Sequence, residues 1–171
     1  MRYAALTGAI LLAACQPSPD PIPANIVPAA ADFVLVDKSD RTLTLYYGGA
    51  LVKTYRNIGF GDAPAGHKRF EGDERTPEGR YIIDARNPDS AYHLSLRISY
   101  PNAQDRAFAQ AAGGDPGGNI FIHGQPNVMR DLGPDARIAG DWTNGCIAVS
   151  NAEITELWNA IPDGTQIHIQ P

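Results

Sequence analysis

The chain has 171 residues, of which 43% are hydrophobic and 19% are charged, and this length suits one globular domain with its own core better than two. Its 14 basic and 19 acidic residues give a formal net charge of −5. The sequence has no cluster of basic residues, which argues against a nucleic-acid partner. The net negative charge also gives no reason to expect adsorption to anionic lipid.

The first 15 residues predict a secretory signal. Arg2 precedes an apolar stretch, residues 4–14, that is too short to span a bilayer as a permanent helix. The stretch runs into LAAC, which resembles the bacterial lipobox, where residues 1–14 would be removed before a lipid-modified Cys15. We therefore expect a lipid anchor on the periplasmic side of the envelope, and Gln16 favours the outer membrane. The alternative is an ordinary secretory signal in which Cys15 is incidental.

A proline-rich segment separates this cysteine from the rest of the chain. Residues 16–31 contain five prolines and almost no charge, which is typical of an extended tether. We therefore divide the chain into a signal peptide (1–14), a lipidated N-terminus with its tether (15–31) and one folded domain (32–171).

Short strands dominate the predicted elements of the folded domain. Residues 33–37 and 42–47 are β-branched or aromatic runs, and Gly48-Gly49 before residues 51–60 predicts a hairpin. Further strands are predicted at residues 81–84, 93–98, 119–123, 146–149 and 166–169. The glycine-rich residues 113–119 lack the lysine and the following helix of a phosphate loop, so we expect a plain loop there.

Two segments carry helical signals. Residues 102–112 follow Pro101, and Ser150 with Glu153 forms a capping box before an apolar face that includes Ile154 and Leu157. Many strands with two helices predict a mainly β domain with the helices packed at one side.

The residues best suited to chemistry lie at the ends of two apolar runs. His123-Gly124 ends the run NIFIHG, and Gly145-Cys146 opens another. A neighbouring imidazole can take the proton of a thiol. Backbone N–H groups beside the cysteine could stabilise an oxyanion. The pattern therefore suits acyl transfer through a thioester.

Other roles for Cys146 are open from composition alone. A lone cysteine is often a small buried hydrophobic residue. Zinc binding is disfavoured because neither Cys146 nor His123 has a CxxC or HxxxH companion. If Cys15 carries lipid, Cys146 has no partner for an intramolecular disulfide.

Taken together, these motifs resemble the L,D-transpeptidase (YkuD) catalytic domain over nearly all of residues 32–171. LTLYYGGALVKTYRNIGFG resembles its opening hairpin, and ERTPEGRY resembles its Thr-Pro-x-Gly segment. IHG and TNGCIAVSN resemble the two motifs that carry the histidine and the cysteine. The run FEGDERTPEGRYIIDARNPDSAYHLSLRISYPN resembles the YafK-like branch of the family.

The resemblance implies a β-sandwich-like domain that acts on peptidoglycan stem peptides in the periplasm and uses no metal or organic cofactor. Cys146 would be the nucleophile and His123 the general base. The Gly124 carbonyl would orient the imidazole, and N–H groups around Gly145 and Cys146 would hold the oxyanion. A thioester between Cys146 and one stem peptide would be attacked by an amine from another stem peptide. The product would be a cross-link, formed in cell-wall remodelling.

The chain departs from the common family signature beside the cysteine. Thr143-Asn144-Gly145-Cys146 stands where Ser/Thr-His-Gly-Cys is usual, and Ala148 stands where an arginine is common. The interval between the two motifs is also longer than usual. We expect Thr143 and Asn144 to contact the substrate.

Two further residues are candidates for the site, and the reaction has alternatives. Tyr100 and His93 could face the substrate, although packing is the competing role for His93. Water could replace the amine, which would make the protein a carboxypeptidase or an amidase on stem-peptide or protein–peptidoglycan linkages. A non-catalytic peptidoglycan-binding lipoprotein is a third alternative, and the sequence predicts no particular protein partner.

Overall fold

The computed structural model describes residues 30–171, so the predicted signal peptide, Cys15 and most of the predicted tether lie outside the described residues. This part of the chain forms a mainly β domain with two short α-helices and one 3₁₀ helix, which confirms the predicted fold class. The strands are β1 Phe33–Asp37, β2 Thr42–Tyr47, β3 Ala50–Arg56, β4 Gly79–Asn87, β5 Ser95–Ile98, β6 Phe121–His123, β7 Ile147–Ala148 and β8 Thr165–Gln170. The helices are α1 Ala103–Ala111 and α2 Asn151–Ala160, and the 3₁₀ helix spans Asn127–Leu132.

The eight strands form one curled sheet in the order β3-β2-β1-β8-β4-β5-β6-β7. Two neighbouring pairs are parallel, β1 with β8 and β6 with β7, and the other pairs are antiparallel. The predicted sandwich-like form is therefore a single hydrogen-bonded sheet that folds over its own core. Its β5-β6-β7 end brings the two candidate chemical motifs together.

The predicted hairpin at the diglycine is confirmed. Gly48 and Gly49 have φ values of 56° and 79° between β2 and β3, a region that glycine enters without a Cβ penalty. The register shifts once between Leu45 and Tyr46. This turn is set by local sequence alone.

The core lies beneath alternate residues of the strands and one face of α2. Ser150 caps α2 through its hydroxyl, which accepts from the Glu153 N–H at 3.2 Å, and Glu153 accepts from the Ser150 N–H at 2.9 Å. The buried apolar side chains include Val34, Val36, Leu43, Leu45, Ile122, Ile147, Ile154, Leu157, Ile167 and Ile169. No helix within residues 30–171 has both the length and the apolarity needed to cross a membrane.

Most predicted elements lie within a few residues of the observed ones, and three differences bear on the fold. The strand expected from residue 93 begins at Ser95, because His93 has a φ of 68° that a strand does not accommodate. The 3₁₀ helix was not predicted, and its apolar residues Val128 and Leu132 are exposed. Ala31, assigned to the tether, is buried and its N–H donates to the Ala160 carbonyl at 2.6 Å.

Two buried lysines fix the long connection between β3 and β4. Lys38 donates to the Gly66 carbonyl at 2.8 Å and to Glu78 at 2.6 Å. Lys68 donates to the Asp73 carboxylate at 2.9 Å. Burial raises the pKa of Asp73, but hydrogen bonds from Lys68 and from backbone N–H groups outweigh it and lower that pKa to about 2. The connection is thus held rigidly where it passes behind Gly145.

Candidate active site

The parallel pair β6–β7 positions the two motifs. Ile122 lies opposite Ile147 and His123 lies opposite Ala148. Since side chains alternate between the faces of a sheet, Cys146 and His123 project from the same face. Cys146 stands directly before β7 and is therefore offset from His123 by two residues of register.

Both side chains line one cavity of about 430 Å³. Thr143 and Asn144 line it as well, so the structure brings together four of the residues predicted from the sequence. Its wall is completed by neutral side chains, namely Asn87, Ser90, Ala91, Tyr92, Ser95, Asn119, Phe121 and Trp142.

The tautomer of His123 follows from its backbone contact. Nδ1 lies 2.7 Å from the Gly124 carbonyl oxygen, and a carbonyl can only accept. Nδ1 therefore carries the hydrogen, and in the neutral ring Nε2 keeps its lone pair. Within residues 30–171, Nε2 has no hydrogen-bond partner, so it can accept a proton from a nucleophile in the cavity.

Gly124 must be a glycine for this contact to form. A Cβ there would lie 2.5 Å from the Asn151 side-chain oxygen and 2.9 Å from the Tyr92 carbonyl oxygen. The same Asn151 oxygen accepts from the Gln125 N–H at 2.8 Å. The first residue of α2 thus holds the backbone that orients the imidazole.

The pKa shifts of the thiol and of the imidazole both favour the neutral form. Burial raises the pKa of Cys146, although the Phe121 backbone and the charge of Lys68 oppose it. Burial lowers the pKa of His123, although the Gly124 carbonyl opposes it. The thiol donates to the Asn119 carbonyl at 3.5 Å rather than to the imidazole. The site therefore suits proton transfer at the moment of attack rather than a preformed ion pair.

The pH dependence of the site follows from these shifts. Acylation is expected to fall as the pH drops through the pKa of His123, because a protonated ring cannot accept the thiol proton. Since burial lowers that pKa, the acid limb should lie below the ordinary value of 6.5. Alkylation of Cys146 by iodoacetamide, followed by mass, should still be rising at the ordinary thiol pKa of 9.0. A rate plateau at neutral pH would instead reveal a resting thiolate.

Thr143 holds the turn before Cys146. Its hydroxyl accepts from the Gly145 N–H at 3.2 Å and donates to the Cys146 carbonyl at 2.8 Å. The Gly145 N–H, predicted as an oxyanion donor, is therefore already used within the turn. The Cys146 N–H has no acceptor among the hydrogen bonds of the described chain, which leaves it available for an oxyanion.

Gly145→Ala is expected to reduce the free energy of unfolding by roughly 2–6 kcal/mol, since overpacking and backbone strain each cost about 1–3 kcal/mol. A Cβ there would lie 2.6 Å from the Arg75 carbonyl oxygen, at a φ of 119°. Gly140→Ala is the control, because its φ is 77° but no atom lies within 4 Å of the added Cβ. Denaturant unfolding compares the two, and equal losses would show that the contact with Arg75 is unimportant.

Sequence reasoning missed two aromatic residues of the site. The Tyr92 ring centroid lies 4.5 Å from that of His123, and the Trp142 centroid lies 5.6 Å away. Trp142 could have been suspected, since it stands four residues before Cys146. Tyr92 is 31 residues from the histidine that it covers, and no pattern in the sequence joins them.

Tyr100 and His93 were candidates to face the substrate, but neither of them lines the cavity. Tyr100 is 5% exposed, packs against Tyr81 and donates its hydroxyl to the Pro116 carbonyl at 2.9 Å. It is a core residue because its ring turns inward beyond the end of β5. His93 is exposed, and its Nε2 lies 3.2 Å from the Thr155 hydroxyl on α2.

No group of three or more His, Cys, Asp or Glu side chains in residues 30–171 is arranged to hold a metal ion. Cys146 is the one free cysteine of that range. The chemistry that this arrangement can perform is nucleophilic attack by a thiol with an imidazole as its base.

Comparison with known proteins gives one matching family model and several relatives. Residues 31–169 match the model of the YkuD family, the L,D-transpeptidase catalytic domain. YafK of Escherichia coli (strain K12) is 28% identical over 145 residues, which are 81% of this chain and 50% of YafK. YkuD of Bacillus licheniformis is 28% identical over 159 residues, which are 90% of this chain and 70% of YkuD. The chain thus spans about half the length of YafK.

Solved structures give similar matches. The helical cell shape determining protein Pgp2 of Campylobacter jejuni superposes with a TM-score of 0.62 at 26% identity, over 82% of this chain and 47% of Pgp2. Bd1075 of Bdellovibrio bacteriovorus superposes with a TM-score of 0.56 at 26% identity, over 82% of this chain and 48% of Bd1075. Each of these two chains is about twice as long as the part it shares with this domain.

Proposed function

Since the chain belongs to the YkuD family of L,D-transpeptidase catalytic domains, as its motifs predicted, we propose that it is a cysteine-dependent peptidoglycan L,D-transpeptidase. The observation that carries this proposal is the cavity shared by Cys146 and His123, in which Nδ1 is fixed by Gly124 and Nε2 is left as the base. Its substrates would be the stem peptides of peptidoglycan, and its role would be cell-wall remodelling.

Acylation starts from the neutral pair. The Cys146 sulfur attacks the carbonyl carbon of the L,D bond, typically between diaminopimelate and D-alanine, while the thiol proton moves to Nε2 of His123. The negative charge that forms on the carbonyl oxygen is held by the Cys146 N–H. The C–N bond then breaks, D-alanine leaves with the proton from His123, and a thioester remains on the sulfur.

Resolution of the thioester reverses these roles. The amine of an acceptor stem peptide attacks the thioester carbon and gives a proton to Nε2 of His123. The S–C bond breaks as the new amide forms, and the proton returns to the Cys146 sulfur. The net result is one cross-link and one free D-alanine, with the thiol and the imidazole neutral again.

A hydrolase on the same site is the second candidate. Cys146 is half-buried rather than sealed, and Asn144 beside it is exposed at the rim of the cavity. Water that reached the thioester would release an acid in place of a cross-link. The protein would then be a carboxypeptidase, or an amidase if the leaving amine belongs to a protein.

The segment packed on β7 bears on the choice of substrate. Ala148 is 3% exposed and forms an isolated β-bridge with Gly59, with N–O distances of 2.8 and 2.9 Å. A backbone segment therefore covers the position where the family commonly has an arginine. We infer that this chain holds its donor by neutral polar contacts, such as those of Asn144, rather than by that cation.

Purified muropeptides with an amine acceptor test the proposal. We expect the intact domain to produce cross-linked dimers, identified by mass, in amounts that rise with acceptor concentration. Shortened monomers alone, even at high acceptor concentration, would replace the transferase with the hydrolase. Unchanged muropeptides would contradict both candidates.

We also propose that Cys15 anchors the protein by lipid to the periplasmic face of the outer membrane, on the basis of the sequence LAAC. Cys15→Ala is expected to move the full chain out of the membrane fraction, since the acyl chains supply the anchoring energy. Cell fractionation followed by immunoblotting measures this. If the variant stays with the outer membrane, the anchor is not at Cys15.

A further inference from the structure

Two aromatic rings enclose the imidazole of His123. The Tyr92 ring lies 4.5 Å from it at an interplanar angle of 37°, and the Trp142 ring lies 5.6 Å from it at 70°. The two aromatic rings are 6.0 Å from each other. His123 is 4% exposed whereas Tyr92 is 39% exposed, so Tyr92 is the ring that separates the imidazole from solvent.

The backbone around Tyr92 is fixed on both sides. The Tyr92 N–H donates to the Ser90 hydroxyl at 3.0 Å, and the N–H of His93 donates to the Asn127 side chain at 2.9 Å. Asn127 in turn donates to the Ser90 carbonyl at 3.0 Å. The β4–β5 connection therefore holds the Tyr92 ring over the imidazole as part of the folded scaffold.

We propose that Tyr92 is a positioning residue that shields His123 and thereby sets whether the thioester is resolved by an amine or by water. The inference rests on the proposed function. Gly124 fixes Nδ1 in the ring plane, Trp142 blocks one side, and Tyr92 covers a face of the ring. The remaining route to Nε2 runs through the cavity in which Cys146 is exposed. A bound acceptor would fill that cavity.

Resolution of the thioester by an amine and resolution by water use the same base, His123, and break the same S–C bond. With an amine, a C–N bond forms, the S–C bond breaks and the amine proton passes through Nε2 of His123 to the sulfur. With water, a C–O bond forms instead and a carboxylic acid leaves. Tyr92 accepts no proton in either route. Its effect is on which molecule, the amine or water, reaches Nε2 of His123.

The pKa of His123 gives a second way to test whether the Tyr92 ring shields it from solvent. In the described part of the chain, the titratable side chains that line the cavity with it are Cys146 and Tyr92, and the other lining side chains are neutral. Burial is the main cause that lowers the pKa of His123. Removing the covering ring hydrates the imidazole and should raise that pKa towards its ordinary value.

The test compares Tyr92→Ala and the matched Tyr92→Phe with the wild-type domain. With muropeptide donor and amine acceptor at fixed concentrations, the ratio of hydrolysed to cross-linked product is expected to rise about tenfold in Tyr92→Ala, as for a barrier change of roughly 1.4 kcal/mol. Tyr92→Phe keeps the ring and should keep the wild-type ratio. Because both products come from the same active molecules, a misfolded fraction does not alter the ratio.

Titration of His123 by NMR in the same three proteins is independent of turnover. We expect a pKa below the ordinary range in the wild type and Tyr92→Phe, and a higher one in Tyr92→Ala. An unchanged titration or an unchanged product ratio in Tyr92→Ala overturns the proposal, as does a Tyr92→Phe protein that behaves like Tyr92→Ala. A wild type that only hydrolyses contradicts the proposed transferase, and with it the choice between amine and water that the proposal assigns to Tyr92. Failure of Cys146 to form any thioester refutes the proposed function instead, and the titration still reports whether the ring shields His123.

Discussion

Cys146→Ala is expected to abolish the covalent acyl-enzyme completely. The proposed reaction forms its intermediate on the Cys146 sulfur, and Cys146 is the one free cysteine within residues 30–171. Incubation with a stem-peptide donor followed by mass measurement of the intact domain should show the acyl adduct in the wild type and none in the variant. Turnover of muropeptides should be lost with it.

The same variant separates an enzyme from a binding protein. Removing the sulfur takes away one weak hydrogen bond, from Sγ to the Asn119 carbonyl at 3.5 Å, so the fold should be retained, with a change in stability within about 1 kcal/mol. A non-catalytic peptidoglycan-binding lipoprotein would lose no function in this variant. An adduct that persists on the alanine variant would place the nucleophile elsewhere.

His123→Ala should slow acylation by about 10²–10⁴-fold, the usual contribution of a general base. Because burial raises the pKa of the Cys146 thiol, the thiol has no resting thiolate with which to compensate for the lost base. Single-turnover acylation, followed by the appearance of the thioester mass, measures the rate. Acylation at the wild-type rate would show that another group takes the proton.

His93→Ala is the matched control for this substitution. His93 is exposed, contacts Thr155 on α2 and lies outside the cavity lining. Its removal should leave the acylation rate close to that of the wild type. If both histidine variants lose activity to the same extent, the loss comes from the fold rather than from the base.

The parts of the fold that the sequence predicted depend on local chemistry. Gly48-Gly49 makes its turn, and Ser150 with Glu153 caps α2, through groups no more than three residues apart. The 3₁₀ helix and the start of β5 escaped prediction because distant contacts fix them. One example is the hydrogen bond from the His93 N–H to the Asn127 side chain.

In the candidate site, too, the features set by neighbouring residues could be predicted and those set by distant contacts could not. The motifs around His123 and Cys146 could be recognised because the chemistry of each needs only adjacent residues. The use of the Gly145 N–H by Thr143 could not be foreseen, since it depends on how the turn closes. The contact of the Tyr92 ring with His123 joins the β4–β5 connection to the end of β6, which meet only in the folded sheet.

The parallel pairing of β6 with β7 sets the offset between His123 and Cys146, whatever the length of the chain between Gly124 and Thr143. Ladder hydrogen bonds set the offset between His123 and Cys146, while residues 124–145 leave the sheet and return to it. Insertions between Gly124 and Thr143 can therefore reshape one wall of the cavity without moving Cys146 relative to His123. The connection between these two strands is therefore the place where the cavity can change while the pair of side chains is kept.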